Sequence, residues 1–497
     1  MDGPRCRPTL AACFNPRELM QIPLQSSKTI RSFAAAFGLF VAGASAQADL
    51  DTATLERIRD AAMSSDYAWQ RLADLSDKIG PRLSGSRGAE AAVVQVSQAM
   101  RNAGLDVRLQ PVKVPHWVRG AEQAELVDYA GRPEGITQPL HLSTLGASVA
   151  TPAKGIVAVV LFVRSLAELE GRAAEVPGKI VLINMPFDQN LADNGQAGTA
   201  YSQAGEARFK GPAVAARLGA AAVLVRSVGG ANYRLPHTGN TSWDADGPKI
   251  PAAALAAEDA MLIERLSAQG PVKLRLLLTP KTLPDADSHN VLADLRGREK
   301  PDEVVIVSGH LDSWDLGTGA VDDGIGVASS MGALQVLQSL GIRPRRSVRM
   351  VAWMNEENGG RGGVAYQAEA KPRIETQIAA IESDFGLSGP LGFSGSINAT
   401  QLKRLEAVGR VLRTIGAGVM ETRAGNAGAD IAPLQALGVP GFAPIVDGRH
   451  YFDLHHTAAD TLDKVDPLAL RRQTAVLAVL AYALAEMNEP LERVPAP

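Results

Sequence analysis

The chain has 497 residues, 46% of them apolar and 21% charged. Such a composition fits a globular protein of roughly two to four domains and excludes a disordered, collagenous or coiled-coil chain. A formal net charge of −3, with no long basic run, removes the electrostatic footprint of a nucleic-acid binder. Only two cysteines occur, Cys6 and Cys13. A disulfide framework and a thiolate-held zinc are therefore excluded, and any metal must be held by His, Asp and Glu.

Residues 20–48 have the form of an export signal, with Lys28 and Arg31 ahead of a short apolar stretch at 32–43 and small residues at 44–48. That stretch is about 12 residues, too short for a hydrocarbon core of about 30 Å. Residues 1–19 show no periodicity, which leaves Met1 and Met20 both open as the start. The expectation is an exported chain, periplasmic or secreted, with no membrane span in its mature part.

Helical spacing runs over 50–75, Pro81 to Ser86 interrupts it, and a second helix reaches about 103, where Gly104 stops it. Residues 107–114 alternate like a strand. The stretch 118–282 has another texture: short β-rich runs at 156–163, 179–184, 221–228 and 272–278, a helix near 212–218, and frequent Gly and Pro. Its two histidines, His141 and His237, lie far apart, and nothing in it resembles a catalytic cluster. It reads as a β-rich module inserted into a domain made of 49–117 and 283–497. From about 285 strands (304–308, 347–353, 378–381, 439–445) alternate with helices (326–340, 467–487). That order predicts an α/β domain with a mixed, mostly parallel sheet covered by helices on both faces.

The polar residues that matter follow those strands. Ser308-Gly309-His310-Leu311-Asp312 ends the first, and Val321-Asp322-Asp323-Gly324 precedes the next helix. Asn355-Glu356-Glu357 and Glu382-Ser383-Asp384 follow the next two strands, and a late loop carries His455-His456-Thr457-Ala458-Ala459-Asp460. In open α/β sheets, sites form outside the carboxyl ends of the strands. Taken singly, each has a bland reading: His310 a hydrogen-bonded structural histidine, Asp322-Asp323 a helix cap, the glutamate pair and the histidine pair solvated. Their joint occurrence at successive strand ends points to chemistry. Two divalent ions about 3.5–4 Å apart can clamp an attacking water and a substrate carbonyl. They need one bridging carboxylate, further His or carboxylate ligands, and a nearby carboxylate left free to accept a proton. Asp312, two residues after His310, is placed to orient that imidazole.

These residues resemble the M28 family of co-catalytic zinc exopeptidases, and within it the plasma glutamate carboxypeptidase (carboxypeptidase Q) branch, over about residues 50–487. The resemblance implies two zinc ions, with His310 and Asp384 on one, Glu357 and His456 on the other, and Asp322 bridging. Glu356 matches the general base that activates a metal-bridging water. Between the adjacent histidines, His456 stands four residues before Asp460 as the family's ligand does, and His455 is the alternative. The segment near 118–282, with Arg208-Phe209-Lys210-Gly211-Pro212, resembles a protease-associated domain that shapes access without supplying ligands. Met354-Asn355 departs from the small residues that relatives often carry before the glutamate pair, which bears on substrate preference. Tyr451 either donates to an oxyanion or serves packing. The implied activity is hydrolysis of short peptides or dipeptides. Aminopeptidase action, glutamine cyclisation and a non-catalytic receptor-like scaffold are the competing readings, and a homodimer is left open.

Overall fold

The computed structural model describes residues 50–494; the export-signal segment, both cysteines and both candidate starts lie outside them. The helical stretch at 50–75 is broken into Thr52–Ser64 and Tyr67–Ala73. Ser65 adopts extended backbone angles, and its hydroxyl accepts the N–H of Tyr67 at 3.2 Å, offering the backbone a partner outside the helical ladder. Helix Arg87–Asn102 starts on Ser86, whose side chain accepts the N–H of Ala89, and stops before Gly104 at φ +81°.

Eight strands form the main sheet, in the order Asp106–Val118, Lys281–Leu295, Arg346–Trp353, Lys300–His310, Gln377–Glu382, Gly441–Val446, Pro390–Gly395 and Val419–Thr422. The four in the middle, from Arg346–Trp353 to Gly441–Val446, run parallel to one another. Their carboxyl ends therefore share one edge. The first two strands are an antiparallel pair from Asp106↔Asp294 to Val118↔Lys281, with a register shift between Val114 and His116, and Pro390–Gly395 is antiparallel to Gly441–Val446. The sheet is mixed, as expected, but its strands outrun the sequence reading at 107–114 and 304–308: the first pairs with Lys281–Leu295 from end to end, and the second reaches from Lys300, opposite Arg346, to His310, opposite Trp353.

Alternate residues of the central strands face two separate apolar cores. Val305, Val307, Val348 and Met350 pack with Leu55, Val93, Met331 and Val476 from helices Thr52–Ser64, Arg87–Asn102, Ile325–Ser339 and Pro467–Glu486. Val304, Ile306, Val351 and Trp353 pack with Tyr366 and Leu434 from helices Arg361–Ala370 and Ala432–Gln435. Helices thus cover both faces. Among the described residues, Pro467–Glu486 alone is long and apolar enough to cross a membrane, and 83% of its most apolar window is buried in this core.

A second sheet of eight strands is built entirely from residues between Glu122 and Leu278. It is also mixed and two-faced. Leu182 and Leu224 pack with Ile263 of helix Ala257–Ser267, and Val181 and Val223 pack with Val214 of helix Ala197–Arg217. The helix expected near 212–218 is the last third of that 21-residue helix, which carries Pro212 inside it.

Candidate metal centre

The shared edge of the four parallel strands gathers the residues singled out in the sequence. His310 is the last residue of its strand. Gly309 beside it permits a close approach, because a Cβ there would lie 2.4 Å from Asp323 Oδ2 and 2.7 Å from the Gly326 backbone. The turn before helix Ile325–Ser339 delivers Asp322, the turn after Trp353 delivers Glu356 and Glu357, and Asp384 stands two residues beyond Glu382. His455 and His456 come from the loop that follows Gly441–Val446, where His456 holds φ +59°. That left-handed geometry is uncommon for a histidine and clusters at functional sites.

Asp322 is the hub. Nε2 of His310 lies 3.1 Å from Asp322 Oδ1 and 3.2 Å from Asp384 Oδ1. Nε2 of His456 lies 3.2 Å from Asp322 Oδ2 and 2.9 Å from Glu357 Oε2. Two groups, His310–Asp322–Asp384 and Asp322–Glu357–His456, can each hold a metal ion, and they share Asp322. The donors are imidazole and carboxylate, which suit a divalent cation such as zinc. Asp322 Oδ2 is buried and makes no hydrogen bond, although Nε2 of His455 and of His456 lie 3.3 and 3.2 Å away. A buried carboxylate oxygen without a hydrogen bond fits a site made for a cation.

The electrostatics agree. Burial pushes the Glu357 carboxyl up to about 7, and Asp322 adds to the shift. Burial also raises Glu356 well above the usual glutamate range, with Asp384 and Glu357 adding and His310 opposing. Asp384 is raised, first by burial, while His310 pulls it down. Burial lowers His456, but Glu357 and Asp322 outweigh it and hold the ring well above the ordinary histidine range. Carboxylates crowded this way without solvent need positive charge beside them, which a metal ion would supply.

Glu356 is half-buried and faces the same cavity, of about 410 Å³, as Asp322, Glu357, Asp384 and His456. Its backbone N–H donates to Asp312 Oδ1 at 3.1 Å, and that oxygen also accepts the N–H of Asn355 at 2.7 Å. Ser84 Oγ donates to Asp312 Oδ2 at 2.9 Å. Asp312 meets His310 through its main chain, the carbonyl oxygen lying 2.9 Å from Nδ1, while its carboxylate anchors the glutamate turn. The Asn355 departure has a local reason in its φ of +78°, a conformation asparagine tolerates. Tyr451 is buried, with its ring 4.1 Å from that of Phe385 and 5.1 Å from that of His455.

Sequence reasoning expected the second sheet's segment, with Arg208 and Phe209, to shape access to the site but did not single out Tyr201, His237 or Asn240 as lining or touching it. Tyr201, Arg208, Phe209 and Asn240 line the cavity. His237, fully buried, places Nε2 3.1 Å from Nδ1 of His455, and His237, His455 and His456 form a third histidine-only group able to hold a metal. No local pattern marks His237 as a site residue, because 218 positions separate it from its ring partner His455.

Residues 290–481 match the model of peptidase family M28. Carboxypeptidase Q of Homo sapiens is 39% identical over 434 residues, covering 86% of this chain and 88% of the human protein. A crystal structure of a peptidase M28 precursor from Shewanella amazonensis is 34% identical, with a TM-score of 0.84 over 90% of this chain and 99% of that one. An aminopeptidase from Aneurinibacillus sp. strain AM-1, 20% identical, shares the fold with a TM-score of 0.61 over 89% of this chain and 98% of that one. The chain belongs to peptidase family M28 and is a metallo-exopeptidase.

Proposed function

We propose that this chain is a dinuclear zinc exopeptidase that hydrolyses short peptides or dipeptides after export. The observation that carries the reading is the pair of ligand groups sharing Asp322, with Glu356 beside them and bound to neither. His310 and Asp384 would hold one ion, Glu357 and His456 the other, and Asp322 both. When bound, such ions polarise the scissile carbonyl and lower the pKa of an attacking water.

The chain's own residues do the rest. Glu356, its backbone pinned by Asp312, accepts the proton of the attacking water on its carboxylate and passes it to the leaving amine. The cavity of about 410 Å³ is at the small end of the range for ligand sites, about 300–1,000 Å³, which favours short substrates. The segment 118–282 acts as a protease-associated domain: its Tyr201, Arg208 and Phe209 line the cavity together with the expected ligands.

Similarity to carboxypeptidase Q of Homo sapiens favours a dipeptidase or carboxypeptidase-like specificity over release of N-terminal residues from longer chains. Turnover of a dipeptide panel with the amino or carboxyl end blocked tests this. Loss of cleavage on blocking the carboxyl end is expected. Cleavage that survives that block and is lost when the amine is blocked would establish the aminopeptidase reading.

A further inference from the structure

The rings of His455 and His456 stack, with centroids 3.6 Å apart and planes 15° from parallel, and both Nε2 atoms face Asp322 Oδ2. Adjacent histidines of like placement give the chain two competing ligands for one cation. What separates them comes from two consecutive residues of the second sheet's segment. Each neutral imidazole carries one proton, and only the nitrogen without it can ligate a metal.

On one side, Nδ1 of His456 lies 3.3 Å from the carbonyl oxygen of Thr238, while Thr238 N–H donates to the His456 carbonyl at 3.0 Å. A carbonyl only accepts, so the His456 proton sits on Nδ1 and Nε2 is bare. On the other side, Nδ1 of the buried His237 lies 3.5 Å from Arg208 Nη1. Both Nη1 hydrogens go to Tyr201 Oη and the Thr238 carbonyl, so what reaches His237 Nδ1 is the guanidinium's positive charge, which disfavours a proton on that nitrogen and leaves the His237 proton on Nε2. That N–H meets His455 Nδ1 at 3.1 Å, which must then accept, leaving the His455 proton on Nε2. Arg208 is itself fixed by Tyr201 Oη at 2.8 Å and the Thr238 carbonyl at 3.1 Å, and the His237 backbone N–H donates to Ser227 Oγ at 2.9 Å.

We propose that His237 and Thr238 set the stacked pair in opposite tautomers, so that His456 alone offers a bare Nε2 to a cation and His455 presents an Nε2–H to the cavity. His237 is a positioning residue: it acts through His455. Partners that fix a ligand's tautomer from behind commonly change metal affinity by about 10–100-fold when removed. The inference rests on the metal-centre reading above, for it needs Asp322 and His456 to hold an ion.

The test labels the histidine rings of the full zinc-loaded chain with ¹⁵N and reads the protonated nitrogen of each by two-bond ¹H–¹⁵N correlation. His237 and His455 are expected to be protonated on Nε2 and His456 on Nδ1. A wild-type spectrum with His455 protonated on Nδ1 overturns the proposal without any variant. In a second arm, Zn²⁺ is titrated into the metal-free chain against a competing chelator. His237→Ala should mix the His455 tautomers and shift zinc affinity by about 10-fold or more, because a bare His455 Nε2 then competes with His456 beside Asp322 Oδ2. His237→Gln, whose amide N–H replaces the donor, should restore both to near wild type. Unchanged affinity and an unchanged His455 signal in His237→Ala would also overturn it. A wild-type chain that binds zinc yet cleaves no peptide would end the activity reading and leave this one standing.

Discussion

The carboxylate of Asp460 accepts the backbone N–H groups of both Val321 and Asp322, at 2.6 and 3.1 Å, from 138 residues beyond the latter. The hub of the metal centre is thus held from below by a buried acid whose own pKa burial pushes up to about 7, with Asp322 adding. Asp460→Asn keeps one acceptor oxygen and turns an amide donor toward the second N–H. Zinc affinity should fall about 10–100-fold, measured by chelator competition, while the far-ultraviolet circular dichroism stays unchanged.

Glu356 and Glu357 are neighbours with separable tasks. Glu356→Gln preserves shape and removes the proton acceptor, so kcat should fall about 10²–10⁴-fold with two zinc ions retained. Glu357→Gln should instead lower the zinc content, because an amide oxygen is a poorer ligand than a carboxylate. Metal analysis beside the rate, for both variants, checks the assignment; a reversed pattern exchanges the two roles.

Removing metal should abolish turnover, and Zn²⁺ or Co²⁺ should restore it. It should also lower Tm. Without cations, Asp322, Glu357 and Asp384 face one another around His310 and His456 with too little positive charge, and an ion that binds the native state alone stabilises it by mass action. Thermal unfolding of the chelated and the zinc-loaded chain measures this.

Arg82 is fully buried, and its guanidinium donates to the carbonyls of Leu311, Gly80, Thr318 and Gly319 at 2.7–3.1 Å. Three of these carbonyls, those of Leu311, Thr318 and Gly319, belong to the loops that deliver Asp312 and Asp322. Arg82→Met fills much of the volume but strands the carbonyls, each unsatisfied group costing about 1–3 kcal/mol. A loss of at least about 3 kcal/mol in denaturant unfolding is expected, together with weaker zinc binding.

The five ligand candidates and Glu356 were legible in sequence because His310 ends a strand, Glu356, Glu357 and Asp384 come within a few residues of strand ends, and Asp322 and His456 lie on the segments that leave two of the same strands, whose parallel course brings their carboxyl ends to one edge. Which contact a polar group makes was less legible. Asp312 reads as a histidine partner two residues along, yet its carboxylate takes the turn at Asn355 and Glu356, an arrangement set by tertiary packing. His237 was invisible as a site residue for the same reason: its importance lies in a contact to His455 across 218 positions, and nothing near it in sequence records that. The break after Ser64 escaped because Ser65 competes through a side-chain hydrogen bond, which apolar periodicity does not register.

The antiparallel pair Asp106–Val118 and Lys281–Leu295 ends with Val118 opposite Lys281. The main chain therefore leaves the first sheet and returns to it at the same place, where a two-residue turn would close an ordinary hairpin. Everything between is a cassette in the topological sense: its excision would leave every strand, helix and expected ligand of the larger sheet in place. The shortened protein would keep its metal-binding carboxylates and histidines but lose Arg208, His237 and Thr238, the groups that tell His455 from His456. Selection on such a cassette can act on the chemistry of the centre while leaving the ligands themselves untouched.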